Sequence, residues 1–151
     1  MIFRVILFDG VCNLCNTSVN FIIDHDSKKK FRFASLQSEF AQNLIENSST
    51  ENKFYTSNGL LLLNEDICKE LNSLNSILYF EDGIFYTKSD AVLRIAEYLD
   101  GIYKFISIGK ILPTSFRDLI YEYIARNRYR WFGKSESCRM PTPELKDRFL
   151  G

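Results

Sequence analysis

Cys12 and Cys15 stand three residues apart in Asp9-Gly10-Val11-Cys12-Asn13-Leu14-Cys15, directly after the apolar run Ile2-Phe3-Arg4-Val5-Ile6-Leu7-Phe8. A Cys-x-x-Cys on the turn between a strand and a helix suits thiol-disulfide exchange. A disulfide needs Cα atoms roughly 5.5 Å apart, and an i, i+3 pair on the first turn of a helix meets that requirement. Cys12 is expected at the helix N-cap, where unpaired backbone N–H groups and the positive end of the helix dipole stabilise a thiolate, so it is the candidate attacking thiol. Cys15, one turn in, shares a helical face with Val19 and Ile22. It is therefore expected to point inward, shielded, and to resolve the mixed disulfide formed by Cys12. Asp9 has two readings: a carboxylate that accepts a proton from Cys15 during exchange, or one that accepts backbone N–H bonds in the turn.

The elements that must position this pair follow from hydrophobic period. Residues 2–8 read as a strand and residues 13–28 as a helix with Cys15, Val19, Ile22 and Ile23 on one face, its C-terminal end marked by Lys28-Lys29-Lys30. Phe31-Arg32-Phe33-Ala34 alternates as a second strand, and Phe40, Ala41, Leu44 and Ile45 mark a second helix. After the polar stretch 47–53 come Leu60-Leu61-Leu62-Leu63 and a short helix through Ile67, Cys68 and Leu71. Ser76–Phe80 and Ile84–Thr87 flank Asp82-Gly83, the signal of a two-residue type I′ hairpin. Ser89 is expected to cap a helix with the stripe Val92, Ile95, Ala96 and Leu99, ended by Gly101. Pro113 precedes a helix with Phe116, Leu119, Ile120, Tyr123 and Ile124 on one face, expected to pack on the sheet, and Thr142-Pro143 opens a last helical turn over Leu145 and Phe149.

The order β-α-β-α then β-β-α, with a Cys-x-x-Cys at the end of the first strand, is the thioredoxin-like arrangement of an α/β domain, here with additional C-terminal helices over 113–151. With 151 residues, 46% hydrophobic and 15% aromatic, the chain is expected to form a single domain over 1–151. Its 19 basic and 19 acidic residues cancel, which gives no reason to expect nucleic acid or an anionic membrane as partner. The N-terminus lacks the features of a secretory leader, and no apolar run approaches the ~18 residues of a membrane span, so a soluble cytoplasmic protein is expected. Four cysteines, two of them closely spaced, fit a catalytic pair in a reducing compartment better than a disulfide framework.

Phe8-Asp9-Gly10-Val11-Cys12-Asn13-Leu14-Cys15 resembles the motif of the DCC family of predicted thiol-disulfide oxidoreductases, named for an Asp and two Cys that fall here on Asp9, Cys12 and Cys15. Further stretches are similar to the family's later signatures: Arg32–Ser38, Lys88-Ser89-Asp90-Ala91, Ala125–Gly133 and Cys138–Leu145. The resemblance implies a disulfide reductase with Asp9, Cys12 and Cys15 as its catalytic residues. Residues 48–74 look longer than in the family, so Leu60–Leu63 and Cys68 fall in an insertion. Thioredoxins place a cis-proline before the third sheet strand; here Leu74-Asn75-Ser76 stands there, and a trans bond is expected because a non-proline cis bond costs ~3 kcal/mol.

Taken together, Cys12 is expected to attack a disulfide-containing protein or small molecule and Cys15 to resolve it, with a dithiol carrier recycling the enzyme and no bound cofactor or metal. The competing class is a non-catalytic thioredoxin-like binding module whose cysteines are structural or hold a metal. Zinc needs two more ligands, and Cys68, Cys138 and His25 lack the tight spacing of a structural finger. Cys138 reads either as a third redox thiol or as a small apolar residue, Cys68 as inert, and His25 as a helix-end residue without a catalytic role. Arg126, Arg128 and Arg130, interleaved with Tyr129 and Trp131, read as a solvated helix end over packed aromatics rather than a nucleic-acid grip. Ile6-Leu7-Phe8-Asp9-Gly10 is similar to the nucleophile loop of haloacid-dehalogenase-type phosphatases, but Val11 stands where their second acid belongs.

Overall fold

A strand whose residues are apolar on both faces must be covered on both, and β1 (Arg4–Phe8) sits at the middle of such a sandwich in the computed structural model. The structure describes residues 3–47, 77–134, 143 and 145–151, together with the backbone of 53–56 and 59–62. Val5 and Leu7 face one core layer with Ala34, Leu36, Leu78 and Phe85, covered by Phe40, Ala41, Leu44 and Ile45 of α2 (Glu39–Asn47). Ile6 and Phe8 face the other, with Phe31, Phe33 and Tyr79, covered by Val19 and Ile22 of α1 (Asn13–Asp24) and by Ala91, Ile95 and Leu99.

β2 (Arg32–Ser35) runs parallel to β1 across the α1 crossover, while β5 (Leu78–Glu81) lies antiparallel on β1's other side and is followed by β6 (Ile84–Thr87). This is the thioredoxin-like order that the sequence predicts. The Asp82-Gly83 turn has both residues at positive φ, 50° and 79°, as a type I′ turn requires. Two further strands, β3 (Lys53–Thr56) and β4 (Gly59–Leu62), pair as a hairpin, and β3 joins β6 in parallel, so the sheet order is β2-β1-β5-β6-β3-β4. These strands lie in the stretch read as an insertion and were not expected there. The short helix through Ile67 and Leu71, the peptide bonds of 74–76, Cys68 and Cys138 fall outside the described residues.

Several boundaries differ from the sequence reading, for identifiable reasons. α1 stops at Asp24 with His25 as its C-cap, not at residue 28. The cause is Asp26, a buried carboxylate that accepts the backbone N–H groups of Lys30 (3.0 Å) and Phe31 (3.1 Å) and pairs with the buried Arg148. The chain turns around that side chain, and the three lysines lie in the turn rather than at the helix end. α3 (Lys88–Tyr98) has Thr87, not Ser89, as N-cap. Ser89 instead donates to Asp118, Asp90 pairs with Arg117 at 3.0 Å and Lys88 with Glu122 at 2.8 Å, all fastening α3 to α4 (Thr114–Phe132). Val92, placed in the buried stripe, is exposed.

The largest departure is α4. Its apolar residues Phe116, Leu119, Ile120, Tyr123 and Ile124 are all exposed, Leu119 by 67%, and its buried residues are the charged Asp118 and Arg128. Period alone cannot tell which face of a helix meets the protein, and here ion pairs on the opposite face decide it. Before α4 runs a 3-10 helix (Gly101–Ile111), unanticipated, which also exposes Ile102, Phe105 and Ile111. Among the described residues no helix is long and apolar enough to cross a membrane. The C-terminal turn is a 3-10 helix at Lys146–Arg148, after which Phe149 packs on Phe33 (5.5 Å between ring centroids) and the Leu150 amide donates to the Phe33 carbonyl.

Candidate functional site

β1 delivers its last residue to the sheet's C-terminal edge, and the four residues Asp9–Cys12 make the turn into α1. Cys12 is the N-cap, as expected, and its carbonyl accepts the Asn16 amide at 2.9 Å. Gly10 has a steric reason to be glycine, since a Cβ there would come within 3.1 Å of the Ser35 hydroxyl. Asn16 closes the turn by donating its side-chain amide to the Gly10 carbonyl at 3.1 Å.

Asp9 is buried, and five groups converge on it or its partner. Its Oδ1 accepts the Val11 amide and the Gln37 side-chain amide, each at 3.1 Å. Its Oδ2 accepts Arg128 Nη2 at 3.0 Å and the Tyr129 hydroxyl. Arg128 Nη2 also donates to the Tyr129 hydroxyl at 2.8 Å, and Nη1 lies 3.9 Å from the Cys15 sulfur. The turn reading of Asp9 holds, since its carboxylate accepts the Val11 N–H, while Arg128 stands between Asp9 and the Cys15 sulfur. Sequence reasoning missed Arg128, Tyr129 and Gln37. Arg126 and Arg130 are exposed as expected for a solvated helix end, but Arg128, at 3% exposure, is not, and Trp131 stands half exposed rather than packed beneath. The available signal was that Gln37, Arg128 and Tyr129 sit within the very stretches that resemble the family's later signatures.

The two cysteines are both free thiols, and their exposure is the reverse of expectation. Cys12 is fully buried. Its backbone pairs with Lys134, and Asn13 holds the end of α4 in place by donating its side-chain amide to the Phe132 carbonyl at 2.9 Å and its backbone amide to Gly133. Cys15 is only partly covered. Gly133, at φ +77°, ends α4, and the next residue, Lys134, makes the backbone bridge to Cys12.

Burial pushes the Cys15 thiol up to about 12 from its ordinary 9.0, helped by its hydrogen bond to and electrostatic interaction with Cys12, against the pull of Arg128. Cys15 thus keeps its proton at neutral pH and offers it to Cys12. Among the described residues, no cluster of three His, Cys, Asp or Glu side chains is placed to hold a metal ion. His25 is engaged through Nδ1 with the Phe21 carbonyl (2.7 Å) and stacks between Phe21 and Tyr103, away from this chemistry.

Two outcomes follow. Arg128→Met leaves the Asp9 charge buried without its cation and is expected to cost about 3–5 kcal/mol in urea unfolding, whereas Asp9→Leu with Arg128→Met loses less than either single variant because no uncompensated charge remains. Additive losses would show that the pair is not coupled. In the reduced protein, alkylation of Cys15 followed by mass is expected to rise only well above neutral pH, and Cys12→Ala moves its midpoint down by removing the neighbouring sulfur that helps hold the proton. An unmoved midpoint would leave burial as the sole cause.

Comparison with known proteins identifies the family. The model of the DCC1-like thiol-disulfide oxidoreductases matches residues 6–134, a span that contains Asp9, Cys12, Cys15, Gln37, Arg128 and Tyr129. The chain is 39% identical over 147 residues to the uncharacterized protein YuxK of Bacillus subtilis (strain 168), covering 97% of this chain and 93% of that one. It is 35% identical over 137 residues to the chloroplastic DCC family protein At1g52590 of Arabidopsis thaliana, covering 90% of this chain and 69% of that one. No solved structure matches. The chain belongs to the DCC1-like thiol-disulfide oxidoreductase family.

Proposed function

We propose that this protein is a disulfide reductase that cycles Cys12 and Cys15 between dithiol and disulfide. The observation that carries the reading is the hydrogen-bonded thiol pair on the first turn of α1, with the proton held on Cys15 and the cap position occupied by Cys12. The Cys12 thiolate attacks a disulfide, one half of the substrate leaves and takes a proton, and Cys15 then attacks the Cys12 sulfur to release the second half as a thiol. The enzyme is left with a Cys12–Cys15 disulfide, which a separate dithiol carrier reduces. Asp9 acts through Arg128, whose charge lies beside the sulfur that must lose its proton in the second step.

The full burial of Cys12 favours a second order of events. Cys15 is only partly covered whereas Cys12 is fully buried, so Cys15 is the sulfur a bound molecule meets first. In that order Cys15 attacks and Cys12 resolves; in the first order, attack by Cys12 requires the Lys134 pairing to open.

Resolving-cysteine variants separate these readings. If Cys12 attacks, Cys15→Ser accumulates a mixed disulfide with a model disulfide, read by intact mass, and Cys12→Ser does not. The reverse pattern assigns attack to Cys15. No adduct in either variant contradicts the enzyme and favours a binding module with structural cysteines.

A further inference from the structure

α1, α3 and α4 enclose an open cavity of ≈ 550 Å³, and the Cys15 thiol is part of its wall. Most of that wall is apolar, with Phe21 and Ile22 from α1, Ile95 from α3 and Ile124 from α4 among its residues. Its few hydroxyls are already engaged. Thr17 and Ser18 donate to the carbonyls of Asn13 and Leu14 one turn back, and the Tyr121 hydroxyl accepts the Ile77 amide. Arg128, also in the wall, is turned to Asp9 and Tyr129.

Such a wall discriminates strongly among occupants. A peptide brings one N–H and one C=O per residue and a sugar or nucleotide brings several hydroxyls, and each would be stripped of water here with little to bond to. An apolar molecule loses nothing on entry and gains by leaving water. The volume lies in the range of about 300–1,000 Å³ typical of small-molecule sites. The chemically reactive atom in the wall is the Cys15 sulfur, hydrogen-bonded to Cys12.

We propose that this cavity binds a small apolar disulfide, one hydrocarbon group resting against the wall and the S–S bond against Cys15, the member of the pair that lines it. The inference rests on the reductase reading and names its substrate class. The reaction balances whichever sulfur opens it. The substrate S–S bond breaks and the Cys12–Cys15 bond forms, two electrons pass from the dithiol to the substrate, and both thiol protons leave on the two product thiols. The apolar residues that select the substrate are then distinct from the polar ones that hold the pair in place.

The test compares reduction of diethyl, dibutyl and dihexyl disulfide with that of bis(2-hydroxyethyl) disulfide, and in parallel measures whether dihexyl sulfide, which cannot exchange, shields Cys15 from alkylation. The expected result is a kcat/KM that climbs about two- to four-fold per buried methylene until the cavity is full. Saturable shielding of Cys15 should accompany it, and Ala125→Phe, which puts a ring into the cavity, should collapse the ratio of dihexyl to hydroxyethyl rates. A flat series with hydroxyethyl disulfide still reduced overturns the substrate class while the reductase reading stands. Shielding by dihexyl sulfide with no disulfide reduced overturns the reductase reading, and with it the assignment of a disulfide to the cavity.

Discussion

The buried ion pair between Asp9 and Arg128 ties the chemistry to the fold. Both side chains are 3% exposed, and they lie 119 residues apart in the chain. Taking two charges out of water is costly, and the pair is tolerable only because the carboxylate is saturated by Val11, Gln37, Tyr129 and Arg128 together. One carboxylate thereby fixes four things at once: the turn that delivers Cys12 to the N-cap, the loop after β2, the inner face of α4, and the cation beside Cys15. The pair is the link between the turn before Cys12 and α4, which is otherwise held by its bonds to α3 and by Asn13 at its C-terminal end.

That constraint accounts for the unusual way α4 is mounted. Three of its charged residues face the protein: Arg128 toward Asp9, Asp118 toward Ser89 and Arg117 toward Asp90. Its apolar residues are left to solvent or to the rim of the cavity, where Ile124 does both. The helix is thus held by directional bonds, which set its position closely, and not by a sliding hydrophobic seam. Its C-terminal end then leads into Lys134, whose backbone pairs with Cys12, so the same mounting that supplies the cation also ties the chain to the thiol pair.

Much of this was legible in the sequence because it depends on local chemistry. The alternation around β1, the Asp82-Gly83 turn, the N-cap position of Cys12 and the start of α4 after Pro113 each follow from a few neighbouring residues. What could not be read depends on which distant surface a face meets. Arg126, Arg128 and Arg130 look alike in sequence, and only the helix's contact with Asp9 singles out the middle one. The relative exposure of the two cysteines was misjudged for the same reason. A shared face with Val19 and Ile22 places Cys15 toward the protein, but toward a cavity in it, while the cover over Cys12 arrives from residues 133–134 at the far end of the chain. Asp26 stopped α1 through a side chain whose partner, Arg148, is equally remote.

The account stands on Cys12 and Cys15 being a redox couple, and an equilibrium titration against a reduced and oxidised glutathione series, with thiols labelled and read by mass, tests that most directly. The prediction is one reversible two-electron transition confined to Cys12 and Cys15. A pair that stays reduced across the whole series, or a transition carried by Cys68 or Cys138 instead, would contradict it.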